Sequence, residues 1–282
     1  MSTPDEPTVH GNASEEAFYF ENEGLRLFAV LHRAGIQGPR RGVVLCHPYG
    51  EEQQVSYRIL VRFARELCGR GFDVLRFDCR GYGDSQGDFE AANLQTQVDD
   101  ALTAIDVLKA QTGIELVDVL GVRLGATVAA LAASRTRSVG RLIFWSPIVN
   151  GGEYVGELIK HKVLADITSG RTPVSGEQLR RELQTAGAIE LGGFRLTNDV
   201  YRQLHETDLT SQDDGFRGDV LILARLQERR RAQALRQTYE ARGCRCEIKV
   251  VDSDAFWDFP SLWEWSFPDE VFQATLGWMV NR

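Results

Sequence analysis

The sequence predicts an α/β protein, a mostly parallel sheet wrapped on both faces by helices. Three observations carry that expectation. Short apolar runs alternate along the chain with longer amphipathic stretches. Several of those runs, such as Gly42–Cys46 and Leu116–Leu120, are almost continuously apolar, which is how strands covered on both faces read. One run also passes straight into a small-residue helix through a junction framed by Gly121 and Gly125.

Taken in order, Ala17–Glu21 and Leu25–His32 form a hairpin about Asn22-Glu23-Gly24. Gly42–Cys46 is a strand that ends at His47-Pro48. Val55–Gly69 has helical spacing, with Ile59, Leu60, Phe63 and Leu67 on one face. Phe72–Phe77 is a strand, Leu94–Leu108 an amphipathic helix, Leu116–Leu120 a buried strand and Ala126–Ala133 a helix of small residues. Val139–Trp145 is a strand ending at Ser146-Pro147. Further along, Asp219–Leu226 and Cys246–Val251 are strands, and Ala232–Arg242 and Asp269–Met279 are helices. Eight strands result. Residues 1–16 are expected to be a disordered tail, 17–149 and 217–282 the core, and 150–216 a helical cap or lid inserted into it. The insertion contains the helical stretches Tyr154–Ile167 and Gly176–Leu183. It leaves the carboxyl end of a strand, the end where open α/β sheets bind ligands.

Bulk properties exclude several classes. The 282 residues are 43% hydrophobic and 26% charged, with a net charge of −8. That acidity argues against nucleic acid as a partner. The basic run Arg229-Arg230-Arg231 opens a helix and reads as a solvated face. No apolar run approaches the roughly 18 residues of a membrane span. The start of the chain has no basic-then-apolar leader pattern, so the protein is expected to be cytoplasmic. Five cysteines, an odd number, suit reduced thiols. Cys244-Arg245-Cys246 lacks the spacing of a zinc site, and neither a metal nor a cofactor is expected.

Gly121-Val122-Arg123-Leu124-Gly125 has the glycine spacing of a nucleophile elbow, a tight strand-to-helix turn that exposes its central side chain. The central residue is Arg123, which has no lone pair to offer and stays protonated. Gly83-Asp84-Ser85-Gln86-Gly87 also fits the pattern, but no helix follows it at once, and it reads as a loop in which Asp84 and Ser85 cap turns.

The stretch Phe77-Asp78-Cys79-Arg80-Gly81-Tyr82-Gly83-Asp84-Ser85-Gln86-Gly87 resembles the loop after the fourth strand in serine-aminopeptidase-like α/β hydrolases. Cys46-His47-Pro48-Tyr49-Gly50 sits where that superfamily keeps its oxyanion loop. Within it, the chain most resembles the exosortase-associated hydrolases, through His47-Pro48-Tyr49-Gly50-Glu51-Glu52, the Arg123 elbow, Trp145-Ser146-Pro147-Ile148-Val149 and Ala255-Phe256-Trp257. The resemblance implies an α/β-hydrolase fold over residues 17 to 282 and a Ser-His-acid triad. Here the nucleophile position holds Arg123, and Glu228 is the acid near the expected place. No histidine follows the last strand, where Phe256 stands; the five histidines, His10, His32, His47, His161 and His205, all come earlier.

Two readings of Arg123 follow. It pairs with Glu51 or Glu52 as a buried ion pair. Alternatively, with the backbone N–H groups of Tyr49 and Leu124 and with Trp257 nearby, it forms a pocket for a small anionic or acyl ligand. Three functions correspond: a ligand-binding protein that has lost the triad, a hydrolase with a non-standard site using Glu51 or Glu52 as base, or a non-enzymatic partner in an exosortase-linked exopolysaccharide pathway. His47 reads as a structural loop residue, and Cys79 as an inert thiol.

Overall fold

The computed structural model describes residues 13–35, 41–172, 174–211, 215–257 and 267–281. Eight strands form one sheet: β1 (Ser14–Asn22), β2 (Leu25–Arg33), β3 (Arg41–Cys46), β4 (Phe72–Phe77), β5 (Val117–Val122), β6 (Val139–Trp145), β9 (Asp219–Arg225) and β10 (Arg245–Val251). Their order is β1-β2-β4-β3-β5-β6-β9-β10. The β1–β2 and β2–β4 pairs are antiparallel, and every other pair is parallel. This is the α/β-hydrolase fold.

All six residues of β5 are buried, which explains why it reads as a near-continuous apolar run. Helices α1 (Glu51–Cys68) and α8 (Asp269–Val280) cover one face, packing Ile59, Phe63, Phe272 and Leu276 with Trp145. On the other face lie α2 (Leu94–Thr112), α3 (Leu124–Ala133) and α7 (Arg229–Ala241), through Val98, Val128 and Leu235. Among the described residues no helix is long and apolar enough to cross a membrane, and no cluster of side chains could hold a metal. None of the five cysteines forms a disulfide among the described residues.

The expected tail needs correction at one end. Residues 1–12 lie outside the described residues, but Ser14–Glu16 begin β1 and pair with Leu31–Arg33. Polar side chains hid this edge strand. Glu15 accepts from Arg65 Nε at 2.6 Å and lies 3.3 Å from His32, so its polarity is used in tethering the strand to α1.

The insertion is held at its base by an isolated bridge between Asn150 and Asp208. It is not wholly helical. Helices α4 (Gly151–Thr168), α5 (Gly176–Ala186) and α6 (Asn198–His205) are joined by a hairpin of β7 (Ala188–Leu191) and β8 (Phe194–Thr197). The turn of that hairpin is Gly192-Gly193, both at positive φ (55° and 88°), where glycine meets no steric penalty.

Candidate functional site

β5 enters α3 through Arg123, whose φ of 53° and ψ of −119° form a sharp, strained turn for a residue with a side chain. Packing imposes this turn. A Cβ on Gly125 would lie 2.3 Å from the Cys46 carbonyl oxygen, and one on Gly121 would lie 2.2 Å from that of Gly125. Strand and helix therefore meet backbone to backbone. The same approach sets the first turn of α3 beside the loop His47–Gly50, the expected pair of oxyanion donors at Leu124 and Tyr49. The backbone at Arg123 is fixed further by its N–H to the Trp145 carbonyl (2.9 Å) and by its carbonyl, which accepts from Ala126 at 3.0 Å.

The Arg123 side chain is 9% exposed. Its Nε donates to Glu52 Oε1 at 3.2 Å and its Nη2 to Glu157 Oε2 at 3.3 Å. The guanidinium carbon lies 5.4 Å from the ring centre of Tyr154 and 5.2 Å from that of Trp257, within cation–π range. Burial alone would pull the guanidinium's pKa down; the charges of Glu52, Glu157 and Glu228 outweigh it and hold the group firmly protonated. Tyr154 donates its hydroxyl to Glu52 Oε2 at 3.1 Å. Glu52 thus has both oxygens engaged, in the first turn of α1, where a carboxylate suits the helix dipole.

Glu51 does not join Arg123. It lies beneath the β7–β8 turn, its Oε2 2.5 Å from where a Cβ on Gly192 would sit. Burial raises its pKa, against the opposing pull of His161. Glu228 ends the short 3-10 turn Leu226–Glu228 after β9 and folds back, accepting from the Arg225 backbone N–H at 3.0 Å and from Arg225 Nη2 at 2.8 Å. Phe256 is buried between Trp145 and Trp257, with ring centres 5.8 and 4.8 Å away. Trp257 also carries the Arg225 guanidinium 4.8 Å from its ring centre. Beside these residues is a cleft of only about 10 Å³, lined by Ser146, Arg225, Ser253, Asp254 and Trp257 among others. That is room for about one water.

On the oxyanion side, Tyr49 packs edge-on against Phe194 of the insertion at 5.4 Å and lies 5.7 Å from Phe89. Gly50 would push a Cβ to 2.9 Å from the Phe194 ring. His47 Nε2 accepts from the Cys79 backbone N–H at 3.2 Å, so its proton is on Nδ1, which donates to the Pro48 carbonyl at 2.8 Å. Both nitrogens are spent on backbone, and burial lowers the pKa, keeping the ring neutral. The Cys79 thiol is buried and its pKa raised by that burial, the opposite of a reactive thiolate.

Three participants were not singled out in the sequence: Tyr154 and Glu157 of α4, and Arg225 at the end of β9; a fourth, Arg231 of α7, belongs to the basic run expected to be a solvated face. Arg231 binds Glu157 Oε1 through Nη1 at 3.0 Å and Glu153 through Nε at 2.8 Å. The available signal was spacing, Glu157 standing four residues after Glu153 and three after Tyr154 on the first inserted helix.

Solved structures with this fold include Est1E from Butyrivibrio proteoclasticus with ferulic acid bound (TM-score 0.67, 18% identity, 94% of this chain and 98% of that one). The α/β hydrolase domain-containing protein 10 from mouse is similar too (TM-score 0.63, 15% identity, 94% and 98%). Among curated proteins, the thiohydrolase aneE of Aspergillus aculeatus is 29% identical over 145 residues, 48% of this chain and 44% of that protein. The match therefore spans less than half of that relative. Residues 37–213 match the serine aminopeptidase S33 family, and the chain belongs to that family of α/β hydrolases.

Proposed function

We propose that this protein does not hydrolyse through an elbow nucleophile, and that it binds a small anionic or acyl ligand at the Arg123 elbow beneath the insertion, which serves as a lid. The observation that carries the reading is the buried guanidinium at the turn where a nucleophile would stand. Arginine cannot attack a carbonyl, and no histidine follows the last strand, where the family's proton acceptor is expected. What the elbow retains is cation, helix N-terminus and two aromatic rings, a set suited to a carboxylate with an apolar body. The relatives lend support: one is named a thiohydrolase and another holds ferulic acid, an aromatic carboxylate.

A fluorophosphonate probe tests the first half; no labelling is expected, and stoichiometric labelling at Ser85 would overturn it. Titration with ferulate tests the second. Binding by the wild type that Arg123→Met abolishes is expected, whereas a ferulate-inert wild type would favour the non-enzymatic partner role in an exosortase-linked pathway. One observation favours a hydrolase with a non-standard site: Glu51, a carboxylate whose pKa is raised by burial beside the elbow, has the character of a general base. Turnover of a feruloyl ester or thioester, lost in Glu51→Gln, would establish that reading instead.

A further inference from the structure

The two carboxylates on Arg123 are held differently. Glu52 is 12% exposed, and its second oxygen is bound by buried Tyr154. Removing it from the guanidinium would strand a charge between buried groups. Glu157 is 33% exposed, and its second oxygen already rests on Arg231, itself 48% exposed. If Glu157 left Arg123, it would keep a cationic partner and face water. Arg123 would then keep Glu52 on Nε and lack an anion only at Nη2.

We infer that Glu157 is an exchangeable stand-in for the ligand's carboxylate: an incoming carboxylate takes its place on Arg123 Nη2, and Glu157 passes wholly to Arg231 as α4 shifts. The inference rests on the ligand-binding reading above and specifies its chemistry. The ligand is a monoanion. Glu52 and Glu228 remain close to the guanidinium, so a dianion would add repulsion where one negative charge is replaced by one. It carries an apolar group, because Tyr154 and Trp257 flank the cation. The adjoining cleft holds about 10 Å³, too little for such a ligand, so the site opens as it enters. Glu157 is on α4 of the insertion, so its release from Arg123 frees that helix to shift as the site opens.

The test is the dissociation constant for ferulate, with methyl ferulate as neutral control, in the intact protein. Glu157→Gln removes the competitor and should tighten ferulate about three- to five-fold, the size of one partly exposed ion pair. Arg231→Gln removes the place to which Glu157 retires and should weaken it by a similar factor. Both variants break the same Glu157–Arg231 pair, so a purely structural role for that pair would move both constants in one direction. Arg230→Gln, which removes an equal charge from the exposed neighbour, should change nothing. Shifts of the same sign for Glu157→Gln and Arg231→Gln, or equal shifts for methyl ferulate, overturn the exchange and leave Arg123 as the binding group. Absence of Arg123-dependent ferulate binding in the wild type and in Glu157→Gln overturns the ligand-binding reading itself. Each altered side chain is at least a third exposed and leaves the core untouched.

Discussion

The pentapeptides that begin at Gly83 and at Gly121 both frame a central residue with glycines, and their surroundings are opposite. In Gly83-Asp84-Ser85-Gln86-Gly87 the central hydroxyl is consumed by backbone: Ser85 donates to the Asp78 carbonyl at 2.6 Å and accepts from the Phe28 N–H at 2.8 Å. Ser85 thereby ties the loop after β4 to β2, and no nucleophile results. In Gly121-Val122-Arg123-Leu124-Gly125 the glycines are demanded by backbone contact between β5, α3 and β3, and the central side chain projects toward the insertion. The glycine pattern therefore acquires meaning only from the strand before it and the helix after it.

Substitutions should separate the two segments sharply. The largest effect is expected at Gly121 or Gly125. An alanine methyl there meets fixed backbone at 2.2–2.3 Å, so either change should cost at least about 4 kcal/mol or prevent folding, read by thermal or denaturant unfolding. A mild loss would mean that strand and helix can part.

Arg123→Ala comes next. It leaves the part-buried Glu52 without its cation, a loss of about 3 kcal/mol. Pairing it with Glu52→Gln should recover part of that loss, and strictly additive effects would show that the ion pair carries no stability. Arg123→Ser, which restores the motif's letter, should yield no efficient esterase, because His47 has both nitrogens on backbone groups. A rate like that of active family members would reveal another base.

In the second pentapeptide the effects should be smaller. Gly83→Ala, at φ 49° and facing the movable Asp78 side chain, should cost about 2 kcal/mol. Ser85→Ala, which removes two hydrogen bonds to backbone, should cost about 1–2 kcal/mol without altering ferulate binding. Loss of binding in Ser85→Ala would bring the two segments into one site.

The sheet was legible because its strands obey a simple rule. Strands covered on both sides are mostly apolar, and Phe72–Phe77 and Val139–Trp145 begin and end where the apolar runs place them. The hairpin in the insertion escaped notice, although Ala-Ile-Glu-Leu and Phe-Arg-Leu-Thr flank Gly192-Gly193, a strong hairpin signal. The site was legible on its core side only. Glu52 could be placed near Arg123 because β3 and β5 are neighbours in the sheet. Glu157 could not, because nothing local fixes how an inserted helix folds back over a strand end. Choosing between Glu51 and Glu52 needed the helical rotation at the start of α1, which turns adjacent residues about 100° apart.

Phe256 follows the last strand, at the place where a triad histidine is expected in this family. Its ring meets Trp145 edge-on, and Trp145 in turn stacks near Phe272 and donates its indole N–H to Thr275 at 2.9 Å. An imidazole at 256 would bring two nitrogens into an aromatic wall and loosen the seam between α8 and the sheet. A histidine at 256 would therefore need compensating changes at Trp145, Phe272 and Thr275, and packing as well as Arg123 stands between this chain and a serine triad.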